Sequence, residues 1–563
     1  MMSPGLFSPS LRLLLWCLGG SALVFVFLES PNFPLPPGFS PIFWYLLKTF
    51  DVEGNLIFFL LVPLAFLLRG NHVALNALEQ AGRHPWRIAA IAFPLLCLGS
   101  IRVYHDHPLS LDEYSVLLQA KVFAEGRLSG MFPPELLDRL IPRGFQGMFI
   151  SVSRDTGAVA TSYWPGFSLL LAPFAWLGVP WMANPLIGAL SIPTVHRLAR
   201  EVSGSEQAGA WAAWFALASP AVIASSISYY TMQSHFLFNV LFAILLLRPT
   251  VPRAILAGLL GSFALTLHQP LPHFLFALPF IGWLAFRGGS WRILAALLLS
   301  YLPLWLLIGI GWRLHLSSLA STVAAAAVSD GQPPRGALEL LLAHVLSSFS
   351  IVNLELVEVR AAWLTKIWTW AGAGLVVLAV MGYRRERGQT PVRLLGAALV
   401  LTFAGYCFVP VDQGHGWGFR YIHSAWFVLP VLAALALTGM REDGVTQLRA
   451  MAGWCVLLSL IVVNGFRMNQ VEEFMAQHLQ RVPPLAVAPS KDRPELVLVN
   501  LGYGFYPADL VQNDPFLRSP RVIMVQGQPR QDAAMLSRWY PDYEKVRSGQ
   551  WGEHWVRKSG AGR

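Results

Sequence analysis

The sequence predicts an all-α polytopic membrane protein with about thirteen transmembrane helices and a small α/β appendage at its C-terminal end. The first observation behind this prediction is the composition: 55% of the 563 residues are hydrophobic and only 13% are charged. Soluble proteins carry roughly twice that share of charged residues. The second observation is that the apolar residues form long runs, and that arginines occupy every other gap between the runs.

The apolar runs are the candidate membrane helices, because a helix of about 20 residues satisfies its own backbone polar groups in hydrocarbon. The candidate spans cover residues 11–28, 55–68, 88–103, 182–198, 208–226, 236–247, 254–267, 274–286, 293–312, 364–381, 394–409, 422–440 and 450–465. The first run has a single basic residue, Arg12, near its start and no small-x-small cleavage site after it. We therefore interpret it as a retained anchor. Residues 1–87 then form an N-terminal two-helix hairpin, and residues 88–466 form the membrane core.

The arginines set the predicted orientation of the chain. Basic residues recur in alternate gaps, at Arg69, Arg83, Arg87, Arg197, Arg200, Arg248, Arg253, Arg287, Arg292, Arg384, Arg385, Arg387, Arg393, Arg441 and Arg449. The short gaps between them hold only Lys48 and Arg420. By the positive-inside rule, the N-terminus is cytoplasmic, the C-terminus is extracytoplasmic, and residues 104–181 and 313–363 form two long outward loops. The net charge of +10 follows from this pattern, so we expect the lipid bilayer, and not nucleic acid, as a partner.

The composition changes after the last span. Residues 495–500 (ELVLVN) and 521–526 (RVIMVQ) predict short strands, and residues 532–539 predict a helix. Residues 467–563 are therefore expected to form a small extracytoplasmic α/β domain. A unit of this size is marginal when it folds alone, so we expect it to lean on the membrane core.

Two adjacent carboxylates, Asp112 and Glu113, lie in the first outward loop, just before a helical stretch at residues 115–126. Mutual repulsion and partial burial would keep one of them ready to accept a proton, as a general base does. The alternative is structural: Ser110 or Asp112 caps the helix, and Glu113 is favoured in its first turn. The local pattern leaves both interpretations open.

An aromatic segment at residues 163–167 (YWPGF) opens the apolar run at residues 168–177. A membrane crossing here would reverse the arginine pattern in the next gap, so we interpret the run as an interfacial helix. The aromatic side chains either anchor this helix at the bilayer surface or form the wall of a sugar site.

Taken in order, these features resemble the GT-C superfamily of polyprenyl-phosphate-sugar-dependent glycosyltransferases. The elements that carry the resemblance are a membrane span, Asp112-Glu113 in the first long outward loop, the aromatic interfacial helix, Arg197-Leu198-Ala199-Arg200, Ala218-Ser219-Pro220 and Gly416-Trp417-Gly418-Phe419-Arg420-Tyr421. The superfamily includes protein O-mannosyltransferases, the lipid A aminoarabinose transferase and bacterial envelope relatives, and the resemblance extends mainly over residues 88–247. Two extra spans before residue 88 depart from the pattern. In addition, residues 232–235 (MQSH) stand where some relatives carry a second acidic residue, so His235 is a candidate replacement.

The resemblance implies transfer of a sugar from a polyprenyl phosphate to an envelope acceptor, with inversion at the anomeric carbon. The acceptor could be a lipid, a polysaccharide or a protein. Asp112 is the first candidate for the base that takes the acceptor's proton, and Glu113 is the second. The candidates for donor-phosphate binding are Arg420, His268 and His273, with helix-end or headgroup contacts as the alternative. The candidates for the sugar or acceptor site are Tyr114, Tyr163, Trp164, His235, Trp417 and Tyr421.

No cofactor is predicted. His105, Asp106 and His107 are weak candidates for a metal site, because imidazole and carboxylate groups suit several divalent ions. A His-x-His pattern in a loop is weak evidence, so a divalent metal is possible but not favoured. The sequence lacks a Walker-type phosphate loop and a dinucleotide fingerprint, which argues against a nucleotide-sugar donor.

Two other classes of function stay open at the level of sequence. A transporter or a flippase for lipid-linked sugars would need polar residues in mid-span, whereas the ionisable residues here gather at the outer ends of the spans. A non-catalytic scaffold would use the loops to bind envelope partners. The arginine-rich gaps favour a bacterial inner membrane as the location.

Overall fold

A computed structural model of the chain describes residues 8–30, 40–327, 354–409, 412–438, 443–490 and 492–559. This part of the chain is mostly helical, as the sequence predicts. Its main helices in chain order are α1 (Pro9–Glu29), α2 (Pro41–Gly70), α3 (Val73–Gly82), α4 (Pro85–Arg102), α5 (Leu111–Ala124), α6 (Leu137–Leu140), α7 (Gly166–Trp176), α8 (Ala183–Ser203), α9 (Glu206–Leu217), α10 (Pro220–Ile227), α11 (Met232–Leu247), α12 (Val251–Ala264), α13 (Leu271–Phe286), α14 (Trp291–Ser300), α15 (Gly311–Ala327), α16 (Leu354–Trp370), α17 (Leu375–Glu386), α18 (Thr390–Tyr406), α19 (Val428–Leu437), α20 (Asp443–Leu458), α21 (Asn464–Gln480) and α22 (Pro529–Trp539).

Several helices have the length and composition of membrane spans. Among the described residues, 4 helical runs are long and apolar enough to cross a membrane, or up to 7 if each sharply bent pair forms one span. Large apolar side chains on these runs face outward, and Leu60 and Leu307 are 72% and 74% exposed, as lipid-facing residues are. These features identify an integral membrane protein. The count of about thirteen spans stays a prediction.

Two predicted spans are sharply bent. The span predicted at residues 208–226 consists of α9 and α10, which meet at 64°, and the span predicted at residues 364–381 consists of α16 and α17, which meet at 99°. Gly374, just before α17, has a φ of 78°. This left-handed conformation allows the chain to change direction between α16 and α17. Both ends of the predicted outward loop 313–363 are helical, in α15 and α16, while its residues 328–353 lie outside the described residues.

The last membrane helix is longer than predicted. The span predicted to end at residue 465 continues through a π-helical turn (Ser459–Val463) into α21, which ends at Gln480. Arg467 and Gln470 of α21 are buried, at 0% and 3% exposure. This polar stretch therefore packs inside the protein. The domain boundary at residue 467 stays a prediction.

A buried group of charges joins the first helices to the core. Asp51 accepts hydrogen bonds from Lys366 Nζ (2.7 Å) and Trp370 Nε1 (2.6 Å), and its Oδ1 lies 3.3 Å from Arg467 NH1. We call these four residues the Asp51 cluster. Its three charged side chains are at most 1% exposed. Because the four residues come from α2, α16 and α21, the cluster fixes these three helices to one another.

Two small sheets form a layer on the helices, which we call the sheet layer (residues 104–165 and 492–559). Its strands are β1 (Gly130–Met131), β2 (Ile150–Val152), β3 (Ala158–Thr161), β4 (Glu495–Val499), β5 (Arg521–Val525), β6 (Tyr543–Gly549) and β7 (Gly552–Arg557). The first sheet is antiparallel with the order β1-β3-β2. The second has the order β5-β4-β7-β6, in which β4 and β5 are parallel. The strands predicted at residues 495–500 and 521–526 and the helix predicted at residues 532–539 are all present.

The two parts of the sheet layer share one hydrophobic core. Leu111 and Leu118 of α5 lie in the same buried cluster as Leu498 of β4 and Met524 of β5. The first outward loop and the C-terminal strands are therefore one packed unit. This arrangement matters for the site, since α5 carries the adjacent carboxylates and the C-terminal strands support it.

Candidate active site

Helix α5 presents its two adjacent carboxylates in different directions. The helix begins at Leu111, so Asp112 and Glu113 occupy its first turn, where the helix dipole favours negative charge. Neighbouring side chains on an α-helix point about 100° apart. As a result, the side chain of Asp112 is 19% exposed, whereas Glu113 is fully buried.

Asp112 is held from two sides. Its Oδ2 accepts hydrogen bonds from both terminal nitrogens of Arg420, each at 3.2 Å, and its Oδ1 accepts a hydrogen bond from the hydroxyl of Tyr163. Burial acts to raise the pKa of Asp112, but the charge of Arg420 and the Tyr163 hydrogen bond outweigh burial and hold this pKa below its ordinary value. Asp112 is therefore an ionised and partly exposed carboxylate at neutral pH. It is not the cap of α5.

Glu113 serves the structure of the loop. Its Oε1 accepts a hydrogen bond from the backbone N–H of Tyr229 and its Oε2 accepts one from Leu109, both at 2.7 Å. Burial raises the pKa of Glu113 to about 8, although these two N–H groups act in the opposite direction. Both oxygens are used inside the protein, so Asp112 is the carboxylate of this pair whose side chain is partly exposed.

A glycine-rich loop, residues 412–419, brings Arg420 into the site. Gly416 and Gly418 have φ values of 105° and 68°, which other residues rarely adopt. A Cβ at Gly416 would lie 2.7 Å from Cδ of Arg420, so this glycine also makes room for the arginine side chain. The guanidinium lies over the ring of Tyr230, with Cζ 4.3 Å from the ring centroid. The Nε of Arg420 is buried and has no hydrogen-bond partner.

Tyr163 and His268 pack against each other beside Asp112. Their ring centroids are 3.9 Å apart. The backbone N–H of Trp164 donates to the carbonyl of His268 (3.1 Å), which joins the segment after β3 to the turn between α12 and α13. Burial lowers the pKa of His268 to about 4. The ring is therefore neutral at pH 7 and carries one N–H donor.

The C-terminal part of the sheet layer reaches the site through Asp509. Its Oδ1 accepts a hydrogen bond from the backbone N–H of Leu111 (3.0 Å), one of the groups that an α-helix leaves unpaired at its start. Its Oδ2 lies 3.0 Å from Nε2 of His415 in the glycine-rich loop. One buried carboxylate thus connects the helix that carries Asp112 to the loop that carries Arg420.

Tyr114 belongs to the same interface. Its hydroxyl donates to the carbonyl of Asn513 (2.6 Å) and accepts a hydrogen bond from the N–H of the same residue (2.8 Å). The side chain is 4% exposed and lies in the core of the sheet layer. Its hydroxyl is used between α5 and the C-terminal strands, and a role of Tyr114 in the sugar or acceptor site stays a prediction.

The other two predicted histidines differ in their surroundings. His273 uses both ring nitrogens, one with Asn239 Oδ1 (2.6 Å) and the other with the hydroxyl of Tyr301 (2.7 Å). Both nitrogens therefore have partners inside the protein, and a role of His273 in donor-phosphate binding stays a prediction. His235 is 1% exposed and neither of its ring nitrogens has a partner. Its role in the sugar or acceptor site stays a prediction.

Helix α11 is more polar inside than the sequence suggested. Gln233 donates to the hydroxyl of Ser191 (3.0 Å) and its carbonyl oxygen lies 3.0 Å from Nε2 of His423. Asn239 donates to the carbonyl of Ser424 (2.9 Å). All of these contacts join α11 to neighbouring segments of the protein, so the polar groups have structural partners.

The remaining aromatic candidates lie around Arg420 or in the packing between helices. Tyr421 stacks on Tyr406, with centroids 4.6 Å apart, and donates its hydroxyl to the carbonyl of Asp412 (2.7 Å). Trp164 and Trp417 are 3% and 5% exposed. A contact of these residues with a sugar or an acceptor stays a prediction.

The weak metal candidates do not converge on one point. Asp106 accepts a hydrogen bond from the hydroxyl of Tyr229, and Nε2 of His105 lies 3.5 Å from a carboxylate oxygen of Glu472. Nε2 of His107 is buried without a partner, and burial lowers the pKa of this residue to about 4. No group of three or more His, Cys, Asp or Glu side chains in the described part of the chain could hold a metal ion. The absence of a metal cofactor stays a prediction.

Three residues near the site were not found from the sequence: Tyr230, Asp509 and Arg360. Tyr230 and Asp509 carry no local signal, since their contacts depend on distant segments. Arg360 is buried on α16 and its Cζ lies 3.5 Å from the ring centroid of Trp363. It falls in the segment predicted as an outward loop, and an arginine in such a loop is not by itself a sequence signal of a binding site.

Two solved structures of ArnT from Cupriavidus metallidurans are similar to this chain. The structure bound to undecaprenyl phosphate is 12% identical, with a TM-score of 0.49, and the match covers 84% of this chain and 98% of that chain. The structure in the apo state is 11% identical, with a TM-score of 0.48, and the match covers 84% of this chain and 97% of that chain. No family model and no curated protein sequence matches the chain. The similarity concerns overall shape, so the function has to be argued from the residues of the site.

Proposed function

We propose that this protein is a membrane glycosyltransferase that moves a sugar from a polyprenyl-phosphate donor to an envelope acceptor. The observation that carries the proposal is the pairing of Asp112 and Arg420. An ionised carboxylate and a buried arginine with an unused donor lie side by side, on segments that the sequence relates to GT-C glycosyltransferases. A base and a phosphate-binding cation are the two groups that transfer from a lipid phosphate requires.

In the proposed step, the acceptor hydroxyl attacks the anomeric carbon and gives its proton to Asp112. The bond between the anomeric carbon and the phosphate oxygen breaks, and the electron pair leaves with the lipid phosphate, so the configuration inverts. Arg420 stabilises the charge that develops on this phosphate. As Arg420 turns toward the phosphate, Asp112 loses part of its compensating charge and becomes a stronger base.

Tyr163 and His268 have supporting tasks in this mechanism. The hydrogen bond from Tyr163 fixes the direction of Asp112, and the neutral ring of His268 offers a donor near the same carboxylate. Asp509 orients both halves of the pair, since it contacts the start of α5 and the glycine-rich loop. We place the reaction on the extracytoplasmic face of a bacterial inner membrane, as the arginine pattern suggests.

The test is a comparison of envelopes from cells that lack the gene and from cells that carry one of four forms: wild type, Asp112→Asn, Arg420→Lys or Asp138→Asn. Asp138 is the matched control, because its carboxylate lies in the sheet layer but pairs with exposed Arg143 and Arg154. Membrane abundance of the four forms is equalised, and mass spectrometry compares lipids, polysaccharides and proteins.

We expect a sugar-sized mass difference to disappear on deletion and to return with wild type and Asp138→Asn. Asp112→Asn should lower the transfer by about 10²–10⁴-fold, the usual contribution of a general base. Arg420→Lys should lower it by about 10²-fold, because lysine lacks the planar fork. Full activity of Asp112→Asn would contradict the assignment of the base. If deletion changes no glycan, a transporter, a flippase or a scaffold becomes the better hypothesis.

A further inference from the structure

Arg360 is a buried cation that forms no ion pair with any side chain that the structure describes. Its side chain is 5% exposed, and its NH2 group donates to the carbonyl of Val409. Nε and NH1 have no hydrogen-bond partner. Among the side chains that the structure describes, no carboxylate forms an ion pair with it. Asp412 is the described carboxylate whose charge acts on Arg360, but its two oxygens accept hydrogen bonds from the backbone N–H groups of Ser40 and Gly414, both at 2.7 Å. Taking a charge out of water without a direct ion pair is costly, so an arginine in this state suits an anionic ligand.

The comparison with other buried cations sharpens this point. Within the described part of the chain, four lysine or arginine side chains are buried: Arg360, Lys366, Arg420 and Arg467. Lys366 and Arg467 share the carboxylate of Asp51, and Arg420 pairs with Asp112. Arg360 alone among these four forms no ion pair with a described carboxylate.

Arg360 is close to the proposed phosphate site. Its guanidinium lies on Trp363, and the ring of Trp363 packs against Phe419 (4.9 Å between centroids) and Tyr421 (5.4 Å). Phe419 and Tyr421 are the residues on either side of Arg420. Arg360 therefore packs on an aromatic group that includes both chain neighbours of Arg420, while Arg420 itself lies over Tyr230.

The charges of the proposed reaction require a second cation. Asp112 and Arg420 cancel each other, so the pair alone offers no net positive charge to an anionic donor. The phosphate link of the donor carries one negative charge, and the released lipid phosphate carries about −1.5 to −2. A further cation would stabilise the product side more than the substrate side, which is the kind of interaction that speeds transfer.

We propose that Arg360 binds the phosphate of the polyprenyl-linked donor together with Arg420. The inference rests on the proposed function and extends it, since it assigns a second anion-binding residue and explains why the protein keeps an unpaired charge inside. The uncompensated arginine destabilises the protein without ligand, and the donor phosphate removes this strain when it binds.

The experiment measures thermal unfolding of the purified full chain in detergent, with and without undecaprenyl phosphate. Wild type is compared with Arg360→Gln, Arg360→Lys and the control Arg139→Gln. Arg139 is also a largely buried arginine, but it pairs with Asp532 inside the sheet layer. Phosphatidylglycerol and inorganic phosphate serve as the other ligands, because each offers a phosphate from a different source.

We expect Arg360→Gln to unfold at the same temperature as wild type or higher when no ligand is present, since an unpaired charge has been removed. Undecaprenyl phosphate should raise the unfolding temperature of wild type but not of Arg360→Gln, whose Kd should increase by at least about tenfold. Arg360→Lys should keep part of the effect, because the charge remains. Arg139→Gln should behave in the opposite way, with lower stability and an unchanged response to the lipid phosphate.

Three results would overturn the proposal. Arg360→Gln that is less stable than wild type and binds undecaprenyl phosphate equally well would give Arg360 a structural role. An equal response of wild type to phosphatidylglycerol would identify the anion as a bulk lipid headgroup. If wild type responds to no lipid phosphate while envelope transfer still depends on Asp112, the proposed function stands and the role of Arg360 falls.

Discussion

Two groups of buried charges in this protein differ in how far their charges are matched. In the Asp51 cluster, one carboxylate meets Lys366 and Arg467, and Arg467 also donates to the backbone carbonyls of Phe50 and Thr369 at 2.8 and 2.9 Å. Around Asp112, one carboxylate meets Arg420, while Nε of Arg420 and two nitrogens of Arg360 lack partners. Nε of Arg467 also lacks a partner, so the two groups differ in their ion pairs and not in unused donors as such. Both cations of the first group meet a carboxylate, whereas Arg360 in the second forms no ion pair.

Helix α16 carries a member of each group. Lys366 points into the Asp51 cluster and Arg360 packs on Trp363, although the two residues belong to the same helix. The difference between them cannot come from burial, since both are at most 5% exposed. Lys366 forms an ion pair and Arg360 does not, and we use this difference to separate structural charges from ligand-binding charges in this chain.

The largest expected effect comes from breaking the matched group. Asp51→Ala would leave Lys366 and Arg467 buried without a counter-charge, which should destabilise the protein by about 3–5 kcal/mol. Thermal unfolding in detergent measures the loss. Asp138→Ala is the control, because its ion pairs involve exposed arginines and should be worth less than about 1 kcal/mol. Equal stability of Asp51→Ala and wild type would show that the cluster does not hold α2, α16 and α21 together.

A smaller effect, on the rate of transfer, should follow from weakening the contacts by which Asp509 positions Asp112 and Arg420. Asp509→Asn weakens the contacts with the start of α5 and with His415, and should lower transfer by about tenfold, a change worth about 1.4 kcal/mol. The donor KM should change little, because the phosphate-binding arginines remain.

Asp532→Asn is the matched control for that experiment. Asp532 is also a buried carboxylate of the sheet layer, and it accepts hydrogen bonds from Arg139 and from the N–H of Gly527. Its substitution should lower stability and leave the rate per folded molecule unchanged. If both variants lose rate in the same proportion as they lose stability, Asp509 has no positioning role of its own.

A further expected effect is a dependence of stability on pH through Glu113, which is measured as a slope and not as a loss at one pH. Burial raises the pKa of Glu113 from its ordinary 4.5 to about 8, so the folded chain keeps a proton that the unfolded chain releases. Stability from this proton is fully present below about pH 4.5 and is lost as the pH rises through about 8, by up to about 1.4 kcal/mol per unit. Glu113→Gln should remove this slope. Parallel stability curves for the variant and wild type between these two pH values would contradict the assignment.

Much of the membrane part could be predicted from the sequence, because apolar runs and arginine gaps reflect the bilayer directly. Asp112 and Arg420 could also be singled out as candidates from the sequence, because charged residues are few in this chain and Arg420 lies in a short gap that is otherwise almost free of arginine. The different tasks of Asp112 and Glu113 were not, because they depend on the N–H of Tyr229, which is 116 residues away. A local pattern can suggest a pair of carboxylates, but it cannot show which of them is exposed.

The contacts that could not be predicted have a common physical cause. His273 was assigned to the phosphate because it lies in a predicted outer turn, yet Asn239 and Tyr301 use both of its nitrogens. The contribution of the C-terminal strands could not be found either, because Asp509 meets Leu111 across 398 residues of chain. Long-range contacts of this kind decide whether a polar side chain is free, and no sequence pattern near the residue records them.

The central claim is that Asp112 performs chemistry and that the arginines bind the donor phosphate. The most direct measurement compares wild type and Asp112→Asn for both properties: binding of undecaprenyl phosphate to the purified protein, and transfer in the envelope assay. We predict that Asp112→Asn binds the lipid phosphate as tightly as wild type or more tightly, because Arg420 loses its competing carboxylate, while transfer is lost. Loss of binding together with transfer, or transfer that survives the substitution, would contradict the account.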